Sequence, residues 1–508
     1  MKEYFTYKTR SPLLVELLDL MGKVKDIEGA ASVLSWDQET YMPAGAAEPR
    51  SFQLSSLEVV SHSILTSDKA KELAKRIKDL EESSDPFENS MFRLFLREYE
   101  RAIKLPEYFI QDYTLAKTMA IEAWKEARSR RKFSYFVNSL SKILEFKIQE
   151  AEYIGYEGNR YDALIDYYEP GMTVAKLNPI FDNLSKYALE TLEKIKPYED
   201  KIDDDFIKQK FAASGQMKFI RNVAKKMAFD SYYGRIDYSI HPFTTSFSPK
   251  DVRVTTRINE NEIRAGIYAA IHELGHALYE QGKDFTLART FADDGSSFGM
   301  HESQSLIWEN IIARTREFWM WGLPILQDIY PGQLSNKFPT DIYQAVNVIR
   351  PSFIRTEADE LTYNLHIVMR FNIENLLMNG NLSVRDISAY WDNHIKDFLG
   401  IYPPNDLLGA LQDIHWSHGS FGYFPIYSLG KLYAAMIWKK MNEDIPDIND
   451  KIANGQFSIL RNWLRDKIHI FGRLVTPDEL ITDVCGESLN EKAYTDYIDN
   501  KVNDLYFS

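Results

Sequence analysis

Cysteine is nearly absent. Cys485 is the single one in 508 residues, so it can neither close a disulfide within the chain nor build a thiolate-rich zinc site. That usage suits a reducing compartment. Basic charge is also in short supply. Sixty Lys and Arg against 74 Asp and Glu leave a formal charge of −14, which lacks the positive footprint that nucleic-acid binding needs. No window holds eighteen uninterrupted apolar residues, so no membrane span is expected. The opening MKEYFTYKTRSP scatters charges and aromatics where a signal peptide would carry an apolar run. Fixed-period repeats and low-complexity tracts are missing. What is present, 44% apolar and 26% charged residues, is enough for a sizeable core and argues against whole-chain disorder. A soluble, cytoplasmic globular protein is the expectation, with neither nucleic acid nor membrane as partner.

Helical spacing dominates. Leu14, Leu17, Leu18, Met21 and Val24 fall on one stripe within 13–35. In 173–196, Thr173 can cap while Leu177, Ile180, Leu184, Leu189 and Leu192 recur at near-helical intervals. Further helices are expected at 67–82, 106–131, 136–156, 214–229, 261–281, 302–323, 357–378, 383–399, 428–442, 456–469 and 489–505. Strand signal is scarce: 251–259 alternates and is β-branched, and a second short strand is expected near 243–248. The fold class is therefore mainly α with one small β-sheet. The acidic stretch Glu199–Asp205 reads as a solvated loop, with a linker as the alternative. The Gly- and Phe-rich 415–425 reads as a packed loop, the kind of segment that carries binding groups.

One motif carries chemistry. Ile271-His272-Glu273-Leu274-Gly275-His276 contains HExxH inside a predicted helix. Positions i and i+4 share a helix face, so His272 and His276 can present two imidazoles to one ion. Glu273 lies about 100° around the helix, where it can reach water without ligating the metal. This is the arrangement that metal-assisted peptide hydrolysis uses. A catalytic zinc site needs a third protein ligand. Glu302 is the best candidate, with 25 residues between it and His276. Glu280, at i+4 from His276, and Glu309 are rivals.

Taken together, several motifs resemble one family, the M32 metallocarboxypeptidases of the carboxypeptidase Taq type. Trp36-Asp37-Gln38-Glu39-Thr40-Tyr41-Met42-Pro43 is similar to its WDxxTxMP segment, with Gly45 and Arg50 following. His241-Pro242-Phe243 matches HPF, and Asp251 to Thr255 matches DxRxT. His301-Glu302-Ser303-Gln304 matches HESQ; Ile354-Arg355 with Ala358-Asp359 matches IRxxAD; Gly409, Gln412-Asp413 and His415-Trp416 match GxxQDxHW. The resemblance implies a large helical fold with a deep active-site groove, forming one peptidase domain over 1–508. Within it, a helical half of about 1–200 would precede a metal-bearing half of about 206–508. It further implies a carboxypeptidase that removes single C-terminal residues with broad preference. It also implies one divalent metal per chain, zinc or else cobalt, and a homodimer.

On that reading His272, His276 and Glu302 hold the metal and Glu273 is the general base. A free α-carboxylate suits an arginine fork, and Arg355 is the candidate, with Asp359 at i+4 to orient it. His241, His415 and Tyr423 are candidates to steady the oxyanion, and Asp413 to fix a ligand imidazole. Arg253 and Thr255 share a strand face, from which a free strand edge could bind substrate backbone; packing explains them as well. Trp36, Asp37 and Trp416 read as core or groove-wall residues. Two other functions stay open. An oligopeptidase or dipeptidyl carboxypeptidase would use the same motif, and a helical interaction scaffold would carry it without metal.

Overall fold

A computed structural model of the chain describes residues 10–198 and 200–507. The first nine residues of the leader reading and Glu199 of the acidic stretch lie outside the described residues. Helices dominate, and one three-stranded sheet accompanies them. Among the described residues no helix is long and apolar enough to cross a membrane.

The chain forms two compact units, each drawn from three separated segments. The first takes the chain up to Ile103, then Asp204–Val346 and Met436–Ser488. Its N-terminal core forms as the leucine stripe predicts. Leu14, Leu17, Met21 and Val24 of helix Pro12–Thr40 pack with Leu73, Met91 and Phe95, while Leu18 packs partly buried at the rim. Each such large apolar side chain contributes about 1.5–3 kcal/mol by leaving water. Ser11 caps the helix by accepting from the Leu14 amide.

In the sheet, β3 (Asp251–Thr256) is central. It runs parallel to β1 (Gly234–Tyr238) and antiparallel to β2 (Thr244–Ser248). The sequence reading placed β2 and β3 but not β1, whose GRIDY buries Asp237 alone and so shows no apolar alternation. Helix Ile263–Gly282 carries HExxH and is apolar on nearly every face, the pattern of a helix enclosed by its neighbours. Helix Ala213–Lys226 packs on it through Met217, Ile220 and Ala270.

The second unit comprises Lys104–Asp203, Asn347–Ala435 and the chain from Leu489 on. Thr173 caps helix Val174–Ile195 as expected, accepting from the Lys176 amide. Its buried stripe runs Val174, Leu177, Phe181, Leu184, Ala188, Thr191, Ile195, one residue off the expected line at Ile180, Leu189 and Leu192. Residues 405–424 form a loop of turns with Trp416, Phe421 and Phe424 buried, matching the packed-loop reading.

Several helices depart from the expected spans. Expected 302–323 is interrupted: an α-helix Phe298–Leu306 widens to a π-helix Ile307–Ile312, and a new helix starts at Arg316, capped by Thr315. Expected 357–378 starts only at Tyr363, because the Asp359 carboxylate takes the amides of Leu361 and Thr362 and holds a turn there. Helix Ala47–Leu65 buries no side chain and so offers no stripe to read.

Candidate active site

The metal-type cluster lies wholly in the first unit. His272 and His276 project from one face of the HExxH helix, and Glu302 comes from helix Phe298–Leu306. Gly275 permits their meeting. A Cβ there would stand 2.6 Å from Ser305 Cα and 2.7 Å from the Gln304 carbonyl oxygen, so only glycine lets the two helices approach this closely. His276 Nε2 is 3.2 Å from His272 Nε2 and 3.5 Å from Glu302 Oε2. His272 Nε2 is 3.8 Å from the same oxygen. Donors in a tetrahedron about 2.0–2.1 Å from one ion stand about 3.3–3.4 Å apart, so the three atoms fit a single small cation.

The electrostatics agree with that fit. Burial would lower His272, but the carboxylates of Glu302, Glu309 and Glu273 outweigh it and lift the ring to about 10. Burial would raise Glu302, yet the facing imidazoles hold it down to about 2. His276 is lowered, first by burial and then by the rings of His301 and His272. The cluster is thus an anionic pocket that draws in positive charge.

Around these donors stand partners that the sequence did not assign. Glu309 accepts from His272 Nδ1 at 2.8 Å, so this rival ligand supports the ring instead. The π-helical turn carries it there. Glu280, the other rival, faces away from the donors. It meets His301 Nε2 at 2.9 Å and Lys283 Nζ at 2.6 Å. Burial favours its neutral form, but Lys283 and His301 hold it well below the usual carboxylate range. Thr244 of β2 donates its hydroxyl to Glu273, whose main-chain carbonyl and Oε2 both lie 2.8 Å away. That contact is invisible to spacing, because it joins a strand to a helix across 29 residues.

The other first-unit residues are placed plainly. His241 is exposed on the turn between β1 and β2, its carbonyl accepting from Ser239. Arg253 is paired with Asp251 and lies over the rings of Trp36 (4.4 Å) and Phe247 (4.7 Å). Thr255 bonds Ser239 and the Phe243 amide. Both sit on the central strand, so the expected free edge is not theirs; β1 and β2 own the edges.

In the second unit Arg355 is 5% exposed. Its Nε and Nη2 donate to Asp413 Oδ1 at 3.1 and 2.9 Å, and its Nη1 to the Tyr363 hydroxyl at 2.5 Å. These bonds use three of five N–H hydrogens and leave one on each Nη without a partner among the described residues. The expected Arg355–Asp359 pairing is corrected. Arg355 lies in a 3₁₀ turn, where i and i+4 do not share a face. Asp359 instead ties down the Thr362 hydroxyl and the Arg350 amide. Asp413 is corrected too. Both its oxygens go to guanidiniums, Arg355 and Arg370, in place of a ligand imidazole. Burial would raise its carboxyl, but these two cations hold it far below the usual range. His415 is pushed down to about 3 by burial, with Arg355 and Arg370 adding to the effect against Asp413. Its Nε2 lies 3.1 Å from the Tyr427 hydroxyl, and its ring is 5.6 Å from that of Tyr423.

Sequence reasoning missed what organises this cluster. Helix Tyr363–Met378 carries His366, Arg370 and Glu374, all fully buried. Arg370 holds Asp413 and Gln412. Glu374 accepts from Trp416 Nε1 and the Gly422 amide, both at 2.8 Å, and from the Tyr161 hydroxyl. Ionisable residues at i, i+4 and i+8, which share one helix face, were the available signal.

Comparison with known proteins places the chain. Residues 16–502 match the family described as Carboxypeptidase Taq (M32) metallopeptidase, a match that runs through both units. Carboxypeptidase 1 of Bacillus subtilis (strain 168) is 38% identical over 97% of this chain and 98% of its own. Thermostable carboxypeptidase 1 of Pyrococcus furiosus is 36% identical over 99% and 100%. The crystal structure of an M32 carboxypeptidase from Deinococcus radiodurans R1 superposes with a TM-score of 0.94 at 34% identity, covering 98% of this chain and 100% of that one. With a family match across nearly its whole length and relatives of this identity, the chain belongs to the M32 family and is a metallocarboxypeptidase.

Proposed function

We propose that this protein removes single residues from peptide C-termini, with broad preference for the residue released. The observation that carries the reading is the convergence of His272 Nε2, His276 Nε2 and Glu302 Oε2 within 4.8 Å of one another. Two imidazoles and a carboxylate suit zinc first and cobalt second. A divalent ion held there supplies Lewis acidity, which polarises a peptide carbonyl and makes water a better acid. Glu273 takes the proton of the attacking water and passes it to the leaving amine. Thr244 keeps the Glu273 carboxylate aimed through Oε2.

Arg355 takes the substrate's α-carboxylate. The free hydrogens on its two Nη atoms support this role, because a carboxylate can bridge them. Asp413 holds the guanidinium in place. His415 and Tyr423 are offered as further polar contacts for the peptide, and His241 as one from the β1–β2 turn. The shortage of cysteine supports a cytoplasmic location, which fractionation would check. Homodimerisation rests on the family alone, and light scattering would test it.

A mass-spectrometric ladder of one peptide tests the central reading, run as free acid and as amide, with and without chelator. Stepwise loss of one residue from the free acid alone, abolished by chelator, is expected. Losses of two residues or internal cuts would favour the dipeptidyl or oligopeptidase reading, and equal cleavage of the amide would remove Arg355's role.

A further inference from the structure

A ligand imidazole must offer a bare lone pair, and something must decide which ring nitrogen keeps the proton. For His272 the decision is direct, since Glu309 accepts from Nδ1 and makes Nε2 the nitrogen that yields its proton to a metal. For His276 no carboxylate among the described residues is hydrogen-bonded to Nδ1. That atom lies 2.7 Å from Nδ1 of a second histidine, His301. The ring centroids are 4.6 Å apart and the planes 26° apart, which with so short an N–N distance sets the rings edge to edge. His301 Nε2 then meets Glu280 Oε1 at 2.9 Å, Glu280 Oε2 meets Lys283 Nζ at 2.6 Å, and Lys283 Nζ meets Asp293 Oδ1 at 2.8 Å. Glu280 and Lys283 are each 6% exposed.

The direction of this chain follows from donor and acceptor counting. An ionised carboxylate only accepts, so His301 donates from Nε2. A neutral imidazole has one N–H, so His301 Nδ1 accepts. His276 Nδ1 therefore donates, and His276 Nε2 is left bare, on the side where His272 and Glu302 stand. We propose that His301, Glu280 and Lys283 are positioning residues that fix the tautomer of His276 through an intervening imidazole, and so set the metal affinity of the site. This rests on His276 being a metal ligand.

Glu280→Gln tests it. The side chain keeps its size, but its amide nitrogen can donate to His301 Nε2. Lys283 still donates to the remaining oxygen, but the two bonds along His301 and His276 reverse, and a hydrogen is placed on His276 Nε2. Zinc affinity is read by competition with a chromophoric chelator, and the tautomers by ¹⁵N spectra of the histidine side chains in metal-free protein. The wild type should show His276 protonated on Nδ1 and His301 on Nε2. Glu280→Gln should lose that signature and bind zinc 10- to 100-fold more weakly, the usual cost of losing an outer partner. His301→Phe, which removes the relaying ring, should weaken zinc similarly. If both variants bind zinc as the wild type does while His276→Ala does not, the relay is refuted and the ligand assignment stands. If His276→Ala also binds zinc normally, the ligand assignment falls and the relay with it.

Discussion

Replacing Gly275 with alanine sets two magnitudes against each other. Alanine is the better helix former by about 1 kcal/mol, so propensity alone makes Gly275→Ala stabilising. The new methyl, however, would stand 2.6 Å from Ser305 Cα, and main-chain atoms cannot swing aside. Carbon atoms settle at about 3.5–4.0 Å, so the HExxH helix and helix Phe298–Leu306 must part by about 1 Å. Such overpacking costs about 1–3 kcal/mol, which exceeds the propensity gain over most of that range. The larger effect falls on the donors. His272 Nε2 and Glu302 Oε2 are already 3.8 Å apart. Two donors on one zinc ion can span at most about 4.2 Å, twice the bond length. A further ångström takes this pair past that limit. Zinc should bind about 100-fold more weakly, kcat/KM should fall by a similar factor at limiting zinc, and the melting temperature should drop. Chelator competition and calorimetry on the metal-free protein measure these directly. A variant that melts higher than the wild type and keeps its zinc affinity would refute the argument from close helix approach.

Three further outcomes are expected. Glu273→Gln should retain zinc and lose turnover by at least about 10²-fold, as steady-state assays and metal analysis would show; an active variant would displace Glu273 as the base. Arg355→Gln should raise KM for free-acid peptides while leaving zinc content unchanged, and an unaltered KM would refute its carboxylate role. In metal-free protein the neighbouring carboxylates hold His272 protonated up to about pH 10. A cation must displace that proton, so apparent zinc affinity should climb about tenfold per pH unit from pH 7 to 9 and level off above about pH 10. A pH-independent affinity across that window would contradict the charge balance of the cluster.

How much of this was legible in the sequence depends on how local each feature is. His272 and His276 were readable because one helical turn sets their relation. Glu302 needed the HESQ resemblance, since no local rule spans the gap to His276. Thr244, His301 and Arg370 act through contacts that only folding creates, and Glu309 and Glu280 appeared in the sequence as rival ligands because spacing cannot tell an inner carboxylate from an outer one. Asp359 misled for a definite reason: the i, i+4 rule presumes an α-helix, and here a 3₁₀ turn over Arg355–Glu357 is followed by a turn that the Asp359 side chain itself holds. Helix Pro477–Cys485, by contrast, was announced by the reciprocal Thr476–Glu479 capping box and escaped notice only because it is short.

The threefold discontinuity of each compact unit bears on how the polypeptide acquires its shape during synthesis. The first unit needs partners as late as Leu474, whose carbonyl accepts from Ser90. The second needs helix Lys492–Val502, where Tyr494 and Lys501 secure Glu360. A ribosome-bound chain that has not yet reached Leu474 can finish neither ensemble, so both close late, through contacts between widely separated stretches. That topology is slow to nucleate and leaves unpaired apolar surface waiting. Stopping translation shortly before Leu489 should therefore leave the second unit incomplete even though every residue proposed for zinc is already made.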